Sequence, residues 1–64
     1  MRTWLREARK SKTMTQKQVA ELSGVSRTTI TEIENGNSNP SVDLAKKIAD
    51  ALGFDWTLFF KDLA

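Results

Sequence analysis

The sequence predicts an all-α fold, a compact bundle of five short helices, and three observations predict it. Apolar residues recur at helical spacing along the whole chain, while β-branched residues never alternate with polar ones over a strand's length. Hydroxyl or carboxylate residues suited to helix N-caps stand at Thr15, Ser26, Ser41 and Asp55. Glycines suited to helix C-termini stand at Gly24, Gly36 and Gly53. The only loop-like run is Asn35-Gly36-Asn37-Ser38-Asn39-Pro40, and no repeat or low-complexity stretch interrupts the pattern. All 64 residues are expected to form one domain, 1–64.

The first helix is expected over Thr3 to Lys12, with Trp4, Leu5 and Ala8 on one stripe and Arg9 at its border. Thr15 with Gln18 has the spacing of a capping box, opening a second helix from Gln16 to Ser23 that buries Val19, Ala20 and Leu22. Ser26 caps a third helix from Arg27 to Glu34. Pro40-Ser41 opens a fourth, reaching Leu52, whose apolar residues Val42, Leu44, Ala45, Ile48, Ala49 and Leu52 cover a broad face. Asp55 caps a short fifth helix, Trp56 to Phe60, and Phe54 with Phe59 has hydrophobic-staple spacing.

Composition narrows the chemistry. There is no cysteine and no histidine, so thiolate ligation, the commonest metal ligand and the commonest general base are all missing. No catalytic residue, metal site or cofactor is expected, and the chain is not read as an enzyme. No apolar run is long enough to span a membrane, and Met1-Arg2-Thr3-Trp4 is not followed by the apolar stretch of a signal peptide. A cytoplasmic protein is expected. The net charge is only +2 but unevenly placed: residues 1–27 carry seven basic and two acidic side chains, and residues 28–64 three basic and six acidic. Such asymmetry suggests one face that attracts polyanions.

The informative segment runs from Gln16 to Gly36. Two short helices separated by only Gly24-Val25-Ser26 must cross steeply, which is the helix-turn-helix arrangement. Ala20 stands where the third helix approaches closely, Val25 plugs the turn, and Ile30 and Ile33 turn that helix onto the core. Arg27, Thr28, Thr31 and Glu32 are then left facing outward. Three threonines are poor helix formers, and Arg27 places a positive charge at the positive end of the helix dipole. Local preference is overridden where a site is expected.

The chain resembles the Cro/repressor-type helix-turn-helix family of phage and bacterial transcription regulators, also called the xenobiotic-response-element family. The resemblance rests on Leu5-Arg6-Glu7-Ala8-Arg9, Met14-Thr15-Gln16, Val19-Ala20, Gly24-Val25-Ser26, Ile30 through Gly36, Asn39-Pro40-Ser41 and Ala49-Asp50-Ala51-Leu52-Gly53. It implies a five-helix domain of the phage-repressor type, with the motif at about 16–35, that binds double-stranded operator DNA as a homodimer and regulates transcription as a repressor. By that resemblance Arg27, Thr28 and Glu32, with Ser26 at their edge and Thr31 beside them, contact bases. Gln16, Asn35 and Asn37, joined by Thr15, Lys17 and Arg9, contact phosphates. The loop after the third helix, Asn37-Ser38-Asn39, lacks the cations common in the family, so its phosphate contacts must come from amides and backbone N–H groups.

Three readings stay open at this level. Arg27 pairs with a guanine or, alternatively, internally with Glu32. Arg9 either forms a partly buried salt bridge with Glu34, as the family pattern implies, or also reaches a phosphate. The aromatic C-terminus, Trp56, Leu58, Phe59, Phe60 and Leu63, either packs wholly within the domain or leaves a dimer or partner surface at Trp56, Phe59 and Phe60. In the latter case a protein-interaction module, such as an antitoxin-like partner, is the competing function.

Overall fold

In the computed structural model, which describes residues 1–61, five helices follow one another: α1 Thr3–Ser11, α2 Gln16–Ser23, α3 Arg27–Asn35, α4 Val42–Leu52 and α5 Leu58–Lys61. No strand forms among the described residues. Leu63 lies outside them.

The helix ends follow local chemistry. Thr15 is extended; its side chain accepts from the Gln18 N–H at 3.1 Å, and the Thr15 N–H donates to Gln18 Oε1 at 2.8 Å, closing the capping box. Ser26 accepts from the Thr29 N–H and Ser41 from the Leu44 N–H, each at 3.2 Å. Each cap satisfies one of the donors that an α-helix leaves unpaired in its first turn. Gly24 ends α2 at φ 71° and Gly36 ends α3 at φ 81°, both left-handed. α1 ends without glycine. There Thr13 is left-handed at φ 54°, and the Met14 N–H reaches back to the Arg9 carbonyl at 3.2 Å. For a β-branched residue this backbone is strained, by roughly 1–2 kcal/mol.

α2 packs against both α3 and α4, and α1 lies on α3. The core between them consists of Leu5, Val19, Ala20, Ile30, Ile33, Ala45, Ile48, Leu52 and Phe59. Trp4, Phe54 and Phe59 close one end, with ring centroids 5.1–5.5 Å apart and tilted or edge-on geometry. Such pairs contribute about 0.5–1.5 kcal/mol each beyond their burial.

Three expectations need correction. Leu22 is not buried but 60% exposed, because Val19, Ala20 and Ser23 share the inward arc of α2 and Leu22 falls outside it. Val42 is exposed as well: side chains in a first turn point back beyond the helix start, past the core. The fifth helix begins at Leu58 rather than Trp56. Asp55 does not cap it through a regular first turn; its Oδ1 accepts from the Thr57 N–H at 3.0 Å and the Thr57 hydroxyl at 2.8 Å. Those two bonds hold the Asp55 carboxyl below its ordinary value of 3.8, and they fold residues 55–57 into a turn that precedes the helix.

Candidate nucleic-acid interface

The turn between α2 and α3 is set by Gly24 and closed by the Val25 N–H donating to the Ala20 carbonyl at 3.0 Å. Ile30 and Ile33 are both buried, which fixes the roll of α3 about its axis. Arg27, Thr28 and Glu32 are consequently exposed, and Thr31 is half-buried. These four and Gln16 line one shallow concave surface. A second concavity beside it is lined by Arg9, Thr13, Met14, Thr15, Gln16, Lys17 and Arg27, so Gln16 and Arg27 form the ridge the two share. Lys17 and Arg27 make this side of the molecule cationic, with Glu32 as an exposed carboxylate within it.

Behind the surface runs a relay of side chains. Arg9 Nε donates to Glu34 Oε2 at 2.7 Å, and its NH2 group to Glu34 Oε1 at 3.3 Å. Arg9 NH1 donates to the Met14 carbonyl at 2.8 Å. Gln16 Nε2 donates to Glu34 Oε1 at 3.3 Å, and Gln16 Oε1 lies 3.0 Å from the Thr31 hydroxyl. That hydroxyl lies equally close to the Arg27 carbonyl, and its single proton serves one acceptor at a time. The relay ties α1, α2 and α3 together and holds Gln16 upright beside the outer face of α3. With Glu34 only 4% exposed, its carboxylate is paired where an unpaired charge would be costly.

The residues singled out from the sequence divide accordingly. Arg27, Thr28, Glu32 and Lys17 are exposed and unencumbered by an ion pair among the described residues; Arg27 and Glu32 do not pair with each other. Ser26 and Thr15 are exposed, but their hydroxyls cap helices. Thr31 faces the same groove with its hydroxyl turned toward Gln16 and its own helix. Asn35 and Asn37 are exposed at the far end of α3, and the Asn37 N–H is held by the Glu32 carbonyl at 3.0 Å. Arg9 directs three of its five N–H groups inward. Phe59 is fully buried and cannot form a partner surface; Trp4 and Phe54 cover it. Trp56 is half-buried and Phe60 is 36% exposed, their rings 5.8 Å apart, with Lys46 Nζ 5.1 Å from the Trp56 ring.

Arg2 was not anticipated. It is only 5% exposed, and it binds the end of α3. One signal was available: a cation just before α1, where it faces the positive end of the dipole and no acid stands in the first turn, needs another reason to be there.

Two short helices joined by a three-residue turn, the second exposing Arg27, Thr28 and Glu32 beside Lys17 and Gln16, form the helix-turn-helix of a DNA-binding domain. Comparison with known proteins agrees. A family model described as helix-turn-helix matches residues 5–59, and the chain belongs to that family. It is 49% identical over 63 residues to an uncharacterized HTH-type transcriptional regulator, YqaF, of Bacillus subtilis (strain 168), covering 98% of this chain and 83% of that one. An uncharacterized HTH-type transcriptional regulator of Methanothermobacter thermautotrophicus is 51% identical over 53 residues, 83% of this chain and 77% of the relative. Another, from Archaeoglobus fulgidus, is 51% identical over 49 residues, 77% and 70% of the two chains. The protein is a DNA-binding transcriptional regulator of the Cro/repressor-type helix-turn-helix class, a role that is not catalytic. No helix among the described residues is long and apolar enough to cross a membrane.

Proposed function

We propose that the chain is a sequence-specific repressor that lays α3 in the major groove and occludes a promoter as a homodimer in the cytoplasm, associated with the nucleoid when bound. The carrying observation is that Ile30 and Ile33 are buried while Arg27, Thr28 and Glu32 stand exposed on one surface with Gln16. A guanidinium matches guanine O6 and N7, a threonine methyl or hydroxyl suits thymine or several polar edges, and a carboxylate accepts from cytosine N4. Ser26 and Thr31 border this set. Around it Thr15, Gln16, Lys17, Asn35 and Asn37, with the remaining donors of Arg9, face the phosphate backbone. Phosphate contacts fix register while base contacts carry specificity.

The partner in the dimer is a second copy, joined through Trp56 and Phe60, with two recognition helices about 34 Å apart on one face of the duplex. Selection of bound sequences from a random duplex pool tests the reading. A two-fold symmetric consensus is expected, and Arg27→Ala or Thr28→Ala should erase preference at particular base pairs. Unchanged preference in both variants overturns the base-reading assignment. Sedimentation with and without DNA tests the dimer, and Phe60→Ala should weaken it.

A further inference from the structure

We propose that Arg2 is a positioning residue for DNA binding: it clamps the loop after α3 in the shape that grips the phosphate backbone. The proposal rests on the reading of that loop as a backbone contact. Arg2 NH1 donates to the Ile33 carbonyl at 2.6 Å and to the Ser38 carbonyl at 3.1 Å, and NH2 donates to Asn39 Oδ1 at 2.7 Å. The Arg2 backbone N–H donates to the Glu34 carbonyl at 2.7 Å. One side chain thus joins the last turn of α3 to both ends of the Ser38–Asn39 peptide segment. Its charge sits at the negative end of the α3 dipole, where a cation is favoured. The guanidinium carbon lies 5.5 Å from the centroid of the Phe59 ring, which is itself fixed by Trp4 and Phe54. The clamp is therefore seated on the core and not on a mobile surface.

The loop needs such a clamp for a chemical reason. Asn37-Ser38-Asn39 carries no charge, so any hold on phosphate comes from amide and N–H donors. Hydrogen bonds of that kind weaken steeply with misalignment, whereas a lysine or arginine attracts phosphate over a distance. The position of the loop is then worth as much as its composition. Arg2 is too buried to reach a phosphate itself, and its contribution acts through the loop.

Affinity of the full chain is measured on two labelled duplexes, one recovered by selection and one of mixed sequence, across a salt series at a temperature where melting shows each variant folded. Arg2→Lys keeps the charge but loses the planar fork that reaches several acceptors. Asn39→Ala removes one acceptor from an exposed loop residue. Each should weaken binding roughly fivefold on both duplexes, the worth of about one hydrogen bond. The double variant should be no weaker than the worse single one, and the slope of affinity against salt should stay that of the parent. Losses that multiply in the double variant overturn the proposal, as does binding within twofold of the parent. A slope smaller by about 0.9 does so too, since it marks a lost direct phosphate contact. If Arg2→Lys does not fold, the loss in Asn39→Ala decides alone. Failure of the base-reading assignment is separate: it appears as unchanged selectivity in both Arg27→Ala and Thr28→Ala, whichever way Arg2 behaves.

Discussion

Along α3 the inward residues Ile30, Ile33 and Glu34 are buried and matched, the isoleucines by apolar neighbours and Glu34 by Arg9 and Gln16, whereas the outward Arg27, Thr28 and Glu32 face solvent without an ion pair among the described residues. One helix of nine residues therefore separates two tasks by face. The inward face holds the domain together. The outward face contributes little to folding and, with three threonines in the segment Thr28–Thr31 and a cation at its N-terminus, works slightly against it. The lesson is that folding energy and recognition chemistry can share a helix when each has its own side of it.

Substitutions can break this contrast. The largest effect is expected from Glu34→Gln, which keeps the shape but strands the Arg9 guanidinium in a site where its side chain is 12% exposed. Stability measured by urea unfolding should fall by about 3 kcal/mol, a large part of what a domain this size has. A loss below about 0.5 kcal/mol, the range of ordinary surface changes, would show the ion pair to be peripheral. On the outward face, Arg27→Ala should cost about 2 kcal/mol of binding to a selected duplex while leaving the unfolding midpoint nearly unchanged. If it unfolds the protein instead, the two faces are not independent.

Smaller effects sharpen the comparison at places where inward groups are not matched. Ser23 is buried on α2 with its hydroxyl lacking a hydrogen-bond partner among the described residues. Ser23→Ala should stabilise by about 1 kcal/mol, read as a rise in melting temperature, with DNA affinity unmoved. Thr13→Gly relieves the left-handed threonine before α2. Its gain is limited to about 0.5 kcal/mol, because glycine also frees the unfolded chain. A destabilised glycine variant would mean that the Thr13 side chain does more in its groove than strain the backbone.

The helix-turn-helix was readable because its signals are local and mutually consistent. Thr15 and Gln18, Ser26, Gly24 and Gly36 each act within one turn of chain, and the spacing of Ile30 and Ile33 sets which side of α3 is free. The C-terminal segment was less readable. Phe54, Trp56, Leu58, Phe59 and Phe60 make five of the seven residues 54–60 apolar, so periodicity does not say which ring turns inward. Leu22 was misplaced for a related reason: an apolar residue at the edge of a helical stripe is assigned only by the neighbour that covers it or fails to.

By itself, then, the amino-acid order determined where α2, α3 and α4 begin and end at their caps, the tight connection between α2 and α3, and the polar character of the outer face, because all of these depend on residues a few positions apart. Only the assembled tertiary structure decided that Phe59 fills the core while Phe60 does not, that Ser23 rather than Leu22 turns inward, and that Arg2 reaches across to the end of α3. Those outcomes depend on contacts between segments distant in the chain, such as the Arg2–Ile33 hydrogen bond at a separation of 31. Burial of that kind is a property of how the helices meet, and a local pattern does not contain it.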